Sequence, residues 1–385
     1  MISELFVYAY LKGEQRLMGR LRQNSFRYAS SWLSLPDSYP ADPLRLPLVS
    51  GDFTERAPMS GMLSVFKDSL PDQWGMTVLN RKHDDLDQDD PLQTLLLTSN
   101  SDRSGALEFA LQNGQFNSEP LPSASLTELI KIIHSIEQGE TIDRRWQRLL
   151  DIGSSPGGAR PKAFFQDEKG SWVAKFPSRF DQQNQASVEA ATLDLLEAVG
   201  VQVPKRELLL VSPESANGDI LLIKRFDRNG ESRIPVISAA TLLTGSTDSY
   251  LGFADRIKQV SSDPIVDQRD LFVRMLFNIM VSNRDDHPRN HMMLYIDGGY
   301  RLSPAFDVVA GEGHRKGQAM ATSLGGFSSS LHDAIDSCRS FSLERAEAES
   351  IADDVTFTIN SKWEQAFIER GLDPDQFSWA FENRG

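Results

Sequence analysis

The sequence predicts an α+β fold of two lobes, a small one built on β-hairpins and a larger helical one, with an additional β-rich subdomain at the amino terminus. Three observations lead there. Short alternating runs pair as hairpins up to about residue 224, after which apolar residues repeat at helical spacing. A glycine-bearing stretch, Gly153-Ser-Ser-Pro-Gly-Gly-Ala-Arg-Pro-Lys162, stands at the entrance of one hairpin. A polar segment, Ser282-Asn-Arg-Asp-Asp-His-Pro-Arg-Asn290, follows the most apolar helix and leads through another hairpin to Asp307.

With 385 residues the chain can form two domains or one two-lobed enzyme, each part with its own core. Its 40% hydrophobic and 24% charged residues are ordinary for a soluble globular protein. The net charge of -14 argues against a chain that coats nucleic acid by itself, because phosphate binding needs clustered Lys and Arg. The single cysteine, Cys338, excludes an internal disulfide, and six scattered histidines offer no structural zinc set. A reducing cytoplasm is the expected location. The amino terminus has no basic leader before an apolar core, so it is expected to be a strand and not a secretory signal. The apolar run 271–281 is too short to span a bilayer, and no membrane association is expected.

In chain order, residues 4–11 and 16–21 flank Lys12-Gly13-Glu14 and predict an opening hairpin, with a further strand over 26–32. Pro36, Pro40, Pro43 and Pro47 make residues 34–47 an extended loop. Between 60 and 82 the residues Met62, Val65, Phe66, Leu70, Trp74, Val78 and Leu79 fall at helical steps interrupted at Pro71. Residues 91–98 read as helix and 105–111 as strand. The Gly, Pro and Ser content of 113–125 marks a boundary, which sets a first domain at 1–124. Ser125 and Glu128 form a capping-box pattern ahead of Leu126, Leu129, Ile130 and Ile133.

A second domain, 125–227, holds this helix and the small lobe. Glycines in 153–158 let backbone N–H groups close on an anion, although such a stretch is also a common plain loop. Strands over 163–165 and 172–176 flank Asp167-Glu-Lys-Gly170, and Lys175 has the opposite parity to Trp172, Ala174 and Phe176. Either a solvated lysine or a phosphate-gripping one fits that position. A helix over 187–199 carries Glu189, which could pair with Lys175 but on periodicity faces solvent. Strands 207–211 and 220–224 form another hairpin, and 224–228 connects to the helical lobe, 228–385. Residues 341–378 read as helix with breaks near Asn360 and Gly371.

Asp285 stands five residues before Asn290, the spacing of the loop by which protein kinases hold a base and a magnesium ligand. The run 292–296 turns at Asp297-Gly298-Gly299 and returns to Asp307, a path that brings Asp307 beside Asn290. The same residues also suit an ordinary polar loop, and Asp286 is an alternative to Asp285. The order of glycine loop, strand lysine, helix, hinge, Asp-x-x-x-x-Asn and hairpin-borne Asp is what makes the layout protein-kinase-like.

With these residues placed, the sequence resembles the HipA family of bacterial serine/threonine kinase toxins. The matching stretches are Ser155-Pro-Gly-Gly-Ala-Arg-Pro-Lys162, Val173-Ala-Lys-Phe-Pro177, Arg225-Phe-Asp-Arg228, Asn283-Arg-Asp-Asp-His-Pro-Arg-Asn290, Leu302-Ser-Pro-Ala-Phe-Asp307 and Met320-Ala-Thr-Ser-Leu-Gly-Gly326. Ser25-Phe-Arg-Tyr28 and Ser69-Leu-Pro-Asp-Gln73 extend the resemblance to the amino-terminal part. It implies an ATP- and magnesium-dependent protein kinase with Asp285 as catalytic base and Asn290 and Asp307 as metal ligands. Lys175 would hold phosphate, Gly157, Gly158, Ala159, Arg160, Pro161 and Lys162 would cover the nucleotide, and Lys224, Arg225 and Phe226 would meet adenine. His287 and Arg289 fall in the family's nucleotide-contacting loop. Ser155, or the adjacent Ser154, would be autophosphorylated, and a phosphate in a nest meant for ATP would switch the kinase off. The implied partners are a HipB-like helix-turn-helix antitoxin, DNA only through that complex, and a protein substrate such as an aminoacyl-tRNA synthetase. The rival readings are a small-molecule kinase, a catalytically silent co-repressor of the antitoxin, and a metal phosphohydrolase using Asp285, Asp286 and His287.

Overall fold

Lys12 (φ 51°) and Gly13 (φ 82°) are both left-handed, which is the two-residue turn whose twist matches antiparallel strands, and they join Leu5–Leu11 to Glu14–Arg22. The structure, a computed structural model, describes residues 2–55, 61–83, 85–101, 103–111, 125–140, 160–211, 218–230, 232–311, 316–324 and 326–381. The boundary stretch 112–124 and the loop residues Ser154, Ser155, Gly157, Gly158 and Ala159 lie outside these. The chain divides into two units, Met1–Gln182 with Val211–Ile237, and Gln183–Leu210 with Ser238–Gly385.

In the first unit the opening hairpin is flanked by Ser25–Tyr28 on one side and Leu107–Ala110 on the other, all antiparallel. Val7, Ala9, Met18, Leu21, Phe26 and Phe109 are buried, and Phe66 packs on Phe26 at 5.0 Å between ring centres. The strand expected over 26–32 ends at Tyr28. Ser30–Leu33 is instead a helical turn that buries Trp32, whose indole N–H donates to the Tyr39 carbonyl at 3.1 Å. Burying the indole together with a partner for its N–H outweighs the strand preference of this aromatic run.

Ser64–Lys67 and Gln73–Lys82 are separate helices with Pro71 between them, and Asp72 caps the second by accepting from the Gly75 N–H at 2.7 Å. Ser125 and Glu128 form the reciprocal capping box of Leu126–Gln138, which buries Leu129, Ile130, Ile132, Ile133 and Ile136. A second sheet contains Lys162–Asp167, Gly170–Lys175 and Ile220–Lys224 in antiparallel succession. Trp172, Ala174 and Phe176 face its core, as their shared parity predicts.

The second unit is mainly helical. Gln185–Ala198 is buried on nearly every side and packs along Arg345–Glu369. Glu189 is 5% exposed, which corrects its assignment to the solvent face: a helix enclosed all round has no wet stripe for periodicity to reveal. Pro264–Met280 begins seven residues earlier than the apolar run 271–281, because Pro264 occupies a first-turn position where its missing N–H costs nothing. The break expected near Asn360 is absent. Arg345–Glu369 runs through it, held by buried Ile351, Val355, Ile359, Trp363 and Phe367, and the chain turns only at Gly371 (φ 73°). No helix among the described residues is long and apolar enough to cross a membrane.

Candidate active site

Helix Pro264–Met280 ends at Val281, and Ser282, left-handed at φ 54°, turns the chain into the polar segment. Asn283 is buried and is bound twice to Asn278, through its backbone N–H to the Asn278 carbonyl and through Nδ2 to Asn278 Oδ1, both at 2.9 Å. The two adjacent acids then separate. Asp285 is exposed and its carboxylate has no hydrogen-bond or ion-pair partner among the described residues. Asp286 is 1% exposed, and its Oδ2 accepts from the Tyr250 hydroxyl, from Asn278 Nδ2 at 2.9 Å and from His291 Nε2 at 2.8 Å. Burial alone would raise the Asp286 carboxyl; attraction to His291 and the bonds from His291 and Tyr250 outweigh it and hold the group below the ordinary carboxylate range. The same burial and the neighbouring Asp286 charge push the Tyr250 hydroxyl well above its ordinary value.

Pro288–Asn290 forms a single 3-10 turn, after which Met292–Ile296 and Gly299–Leu302 make the hairpin. Its turn is left-handed at Asp297 (φ 52°) and Gly298 (φ 83°), as the Asp-Gly pair predicts. Buried Asp267 pins the returning strand by accepting from the Leu302 N–H at 3.1 Å and pairing with Arg301 at 3.0 Å. Arg274 donates to the Ser303 carbonyl at 2.7 Å while bound to Asp270. These bonds deliver Asp307, which adopts a left-handed φ of 58°, unusual outside glycine and more tolerated by Asp than by most residues.

Asn290 Nδ2 lies 3.5 Å from the Asp307 carbonyl. Asn290 is 5% exposed and its Oδ1 is buried without a hydrogen-bond partner among the described residues, an acceptor in need of a donor or a cation. An amide oxygen beside a carboxylate-bearing residue is a hard oxygen donor set, and it fits magnesium, which takes few protein ligands and retains positions for water and phosphate. His287 is half-buried with Nδ1 unpaired among the described residues, and Arg289 is exposed. Among the described residues no group of three His, Cys, Asp or Glu side chains is arranged to hold an ion, so Asp285, Asp286 and His287 do not form a metal cluster.

In the first unit Lys175 is half-buried on Gly170–Lys175, directly opposite Lys162. Lys162 is 6% exposed and its ammonium lies 2.7 Å from Asp72 Oδ2, which commits it to the core beneath the strand. Arg160 pairs with Asp181, and Pro161 accepts through its carbonyl from the Phe176 N–H at 2.9 Å. Lys224 lies over the Trp172 ring at 4.7 Å and donates to the Lys169 carbonyl.

Arg225 is buried, stacks on Phe164 at 4.1 Å and binds Asp227 through Nε at 2.9 Å and Nη2 at 2.8 Å. Asp227 also accepts from Arg228 at 2.8 Å and from the Gly105 N–H at 2.7 Å, and both arginines donate to the Arg103 carbonyl. The Arg225-Phe-Asp-Arg228 stretch is therefore a clamp on residues 103–105 as well as a connector, and Phe226 within it is half-buried. Burial would raise the Asp227 carboxyl, but Arg225 and Arg228 hold it far below its usual range.

Neither periodicity nor motif spacing singles out Tyr250, Asn278 or His291, and Arg274 reads in the sequence only as an interruption of the apolar run 271–281. A polar residue inside an otherwise apolar helix, as Asn278 and Arg274 are, is the signal that could have found two of them.

Residues 154–363 match the family model described as HipA-like C-terminal domain, and residues 10–110 match that of the HipA N-terminal domain. An α+β protein of two compact units with HipA-like domains is the class that these elements and matches define. The chain belongs to the HipA family. A solved structure of the Shewanella oneidensis toxin–antitoxin system, HipA with HipB and its operator DNA, is similar over 99% of this chain and 95% of that one, with a TM-score of 0.71 and 18% identity. The protein called "Putative kinase Y4mE" from Sinorhizobium fredii is 25% identical over 36% of this chain and 34% of its own length. A Haemophilus influenzae protein called "Putative kinase" is 24% identical over 41% of this chain and 53% of its own length. The chain thus spans about a third to a half of the length of the curated relatives it matches.

Proposed function

We propose that this protein is an ATP- and magnesium-dependent serine/threonine protein kinase that serves as the toxin of a toxin–antitoxin pair. The observation that carries the reading is the division within one loop: among the described residues Asp285 is exposed without a partner, Asp286 is buried and bound, and Asn290 Oδ1 is unpaired next to Asp307. Asp285 orients the acceptor hydroxyl and takes its proton as that oxygen attacks the γ-phosphorus and ADP departs. Asn290 and Asp307 would hold magnesium, which would supply charge neutralisation on the phosphate oxygens. Lys175 binds phosphate, and the stretch from Gly157 through Pro161 covers the nucleotide. Lys224, Arg225 and Phe226 meet adenine through backbone, since the Arg225 side chain is already bound in its clamp.

The partner is a HipB-like helix-turn-helix antitoxin, with DNA reached only through that complex; the net charge of -14 supports indirect contact. The substrate is a component of translation such as an aminoacyl-tRNA synthetase, and the location is the cytoplasm. Ser155 is the autophosphorylation site. The test is transfer from γ-labelled ATP to the purified protein with magnesium, followed by mass spectrometry. Label on Ser155 that vanishes in Ser155→Ala and Asp285→Asn is the expected result. Absence of both labelling and nucleotide binding overturns the kinase reading.

A further inference from the structure

The mechanism above uses Asp285 and Asn290, yet the most heavily bonded group in the loop is neither. Asp286 Oδ2 gathers donors from three separate elements: Tyr250 from helix Tyr250–Val260, Asn278 from helix Pro264–Met280, and His291 from the residue before the hairpin. Asn278 Nδ2 also reaches the Tyr250 hydroxyl at 3.1 Å, and Asn278 Oδ1 accepts from Asn283. The His291 ring lies 5.8 Å from both Tyr250 and Phe253, and its carbonyl accepts from the Ala239 N–H at 2.9 Å. Asn278, Asp286, Asn290 and His291 line one small internal cavity. The loop is thus fixed on both sides of the exposed acid, at Asn283 and Asp286 before the 3-10 turn and at His291 after it.

We propose that Asp286, Tyr250, Asn278 and His291 are positioning residues that set the loop so that Asp285 faces outward while the Asn290 amide lies against Asp307. This rests on the kinase reading for its rate consequence, though the geometric part stands on the bonds alone. The two neighbouring acids have different work: the first meets the acceptor and the second holds the backbone that presents it. A carboxylate suits the second task because it accepts several bonds at once, and bonds to a charged acceptor are the stronger kind.

Tyr250→Phe is the first test, because it deletes one donor and keeps the ring against His291; Asp286→Asn is the second. In steady-state phosphotransfer, loss of one bond to a buried carboxylate lowers kcat roughly tenfold or more, with KM for ATP changing less than about twofold. Hydrogen exchange is measured on the same samples. The amides of 283–291 are expected to exchange faster in both variants while the middle of Pro264–Met280 keeps its wild-type protection. Unchanged kcat with unchanged loop exchange overturns the proposal, as does faster exchange spread evenly over the whole unit, which would mean plain destabilisation. If Asp286→Asn does not fold, Tyr250→Phe decides. If the wild type transfers no phosphate, the kinase reading falls, and the exchange pattern alone decides whether these residues hold the loop.

Discussion

Asp227→Asn keeps the shape of the side chain and removes its charge, which leaves two guanidiniums without their shared counter-ion. The side chains of Arg225, Arg228 and Asp227 are 5%, 9% and 8% exposed, so solvent cannot replace the lost partner. Breaking a buried pair from one side costs about 3–5 kcal/mol. In a unit of this size that corresponds to a fall in Tm of roughly 10 °C. The folded carboxyl sits far below its unfolded value, so its contribution is complete above about pH 4 and is lost as pH falls through the folded pKa. The gap between wild type and variant is expected to be flat from about pH 8 to 5, and to narrow below 4 by about 1.4 kcal/mol per pH unit. Urea unfolding of both proteins across that range reads it directly. A variant within about 1 kcal/mol of wild type at neutral pH, or a gap that does not narrow in acid, would mean that the Asp227 charge does not hold the two arginines.

Arg103 is fully buried and donates to the carbonyls of Ser69, Leu95 and Thr98, so Arg103→Lys, with one point charge in place of a fork, should lower stability by about 2–4 kcal/mol in urea unfolding. Gly298→Ala places a Cβ in open space at φ 83°, so the cost is backbone strain of roughly 1 kcal/mol, measured as a small drop in Tm. Asn290→Ala should raise the magnesium concentration for half-maximal phosphotransfer at least about tenfold while leaving the fold intact, followed by titrating magnesium at saturating ATP.

Local signals explain what the sequence disclosed. The opening hairpin, the Ser125–Glu128 capping box, the Pro71 interruption and the Asp297-Gly298 turn each depend on residues close in the chain, and all are present. The return path that brings Asp307 to Asn290 was legible for the same reason, since a tight turn fixes where the second strand runs. What stayed hidden depends on distant partners. Nothing near Arg225 says that its guanidinium will stack on Phe164 and bind the Arg103 carbonyl, and nothing near Asp286 points to Tyr250. Periodicity cannot place Glu189 because its helix is enclosed, and the local preference at Asn360 yields to a long buried stripe.

Whether Asp285 is the base is read from single-turnover transfer by Asp285→Asn, with ATP affinity and Tm recorded alongside. A rate lowered by about a hundredfold or more is expected, with affinity and melting close to wild type because the exposed carboxylate has no partner among the described residues. A rate within a few-fold of wild type in that variant would contradict it.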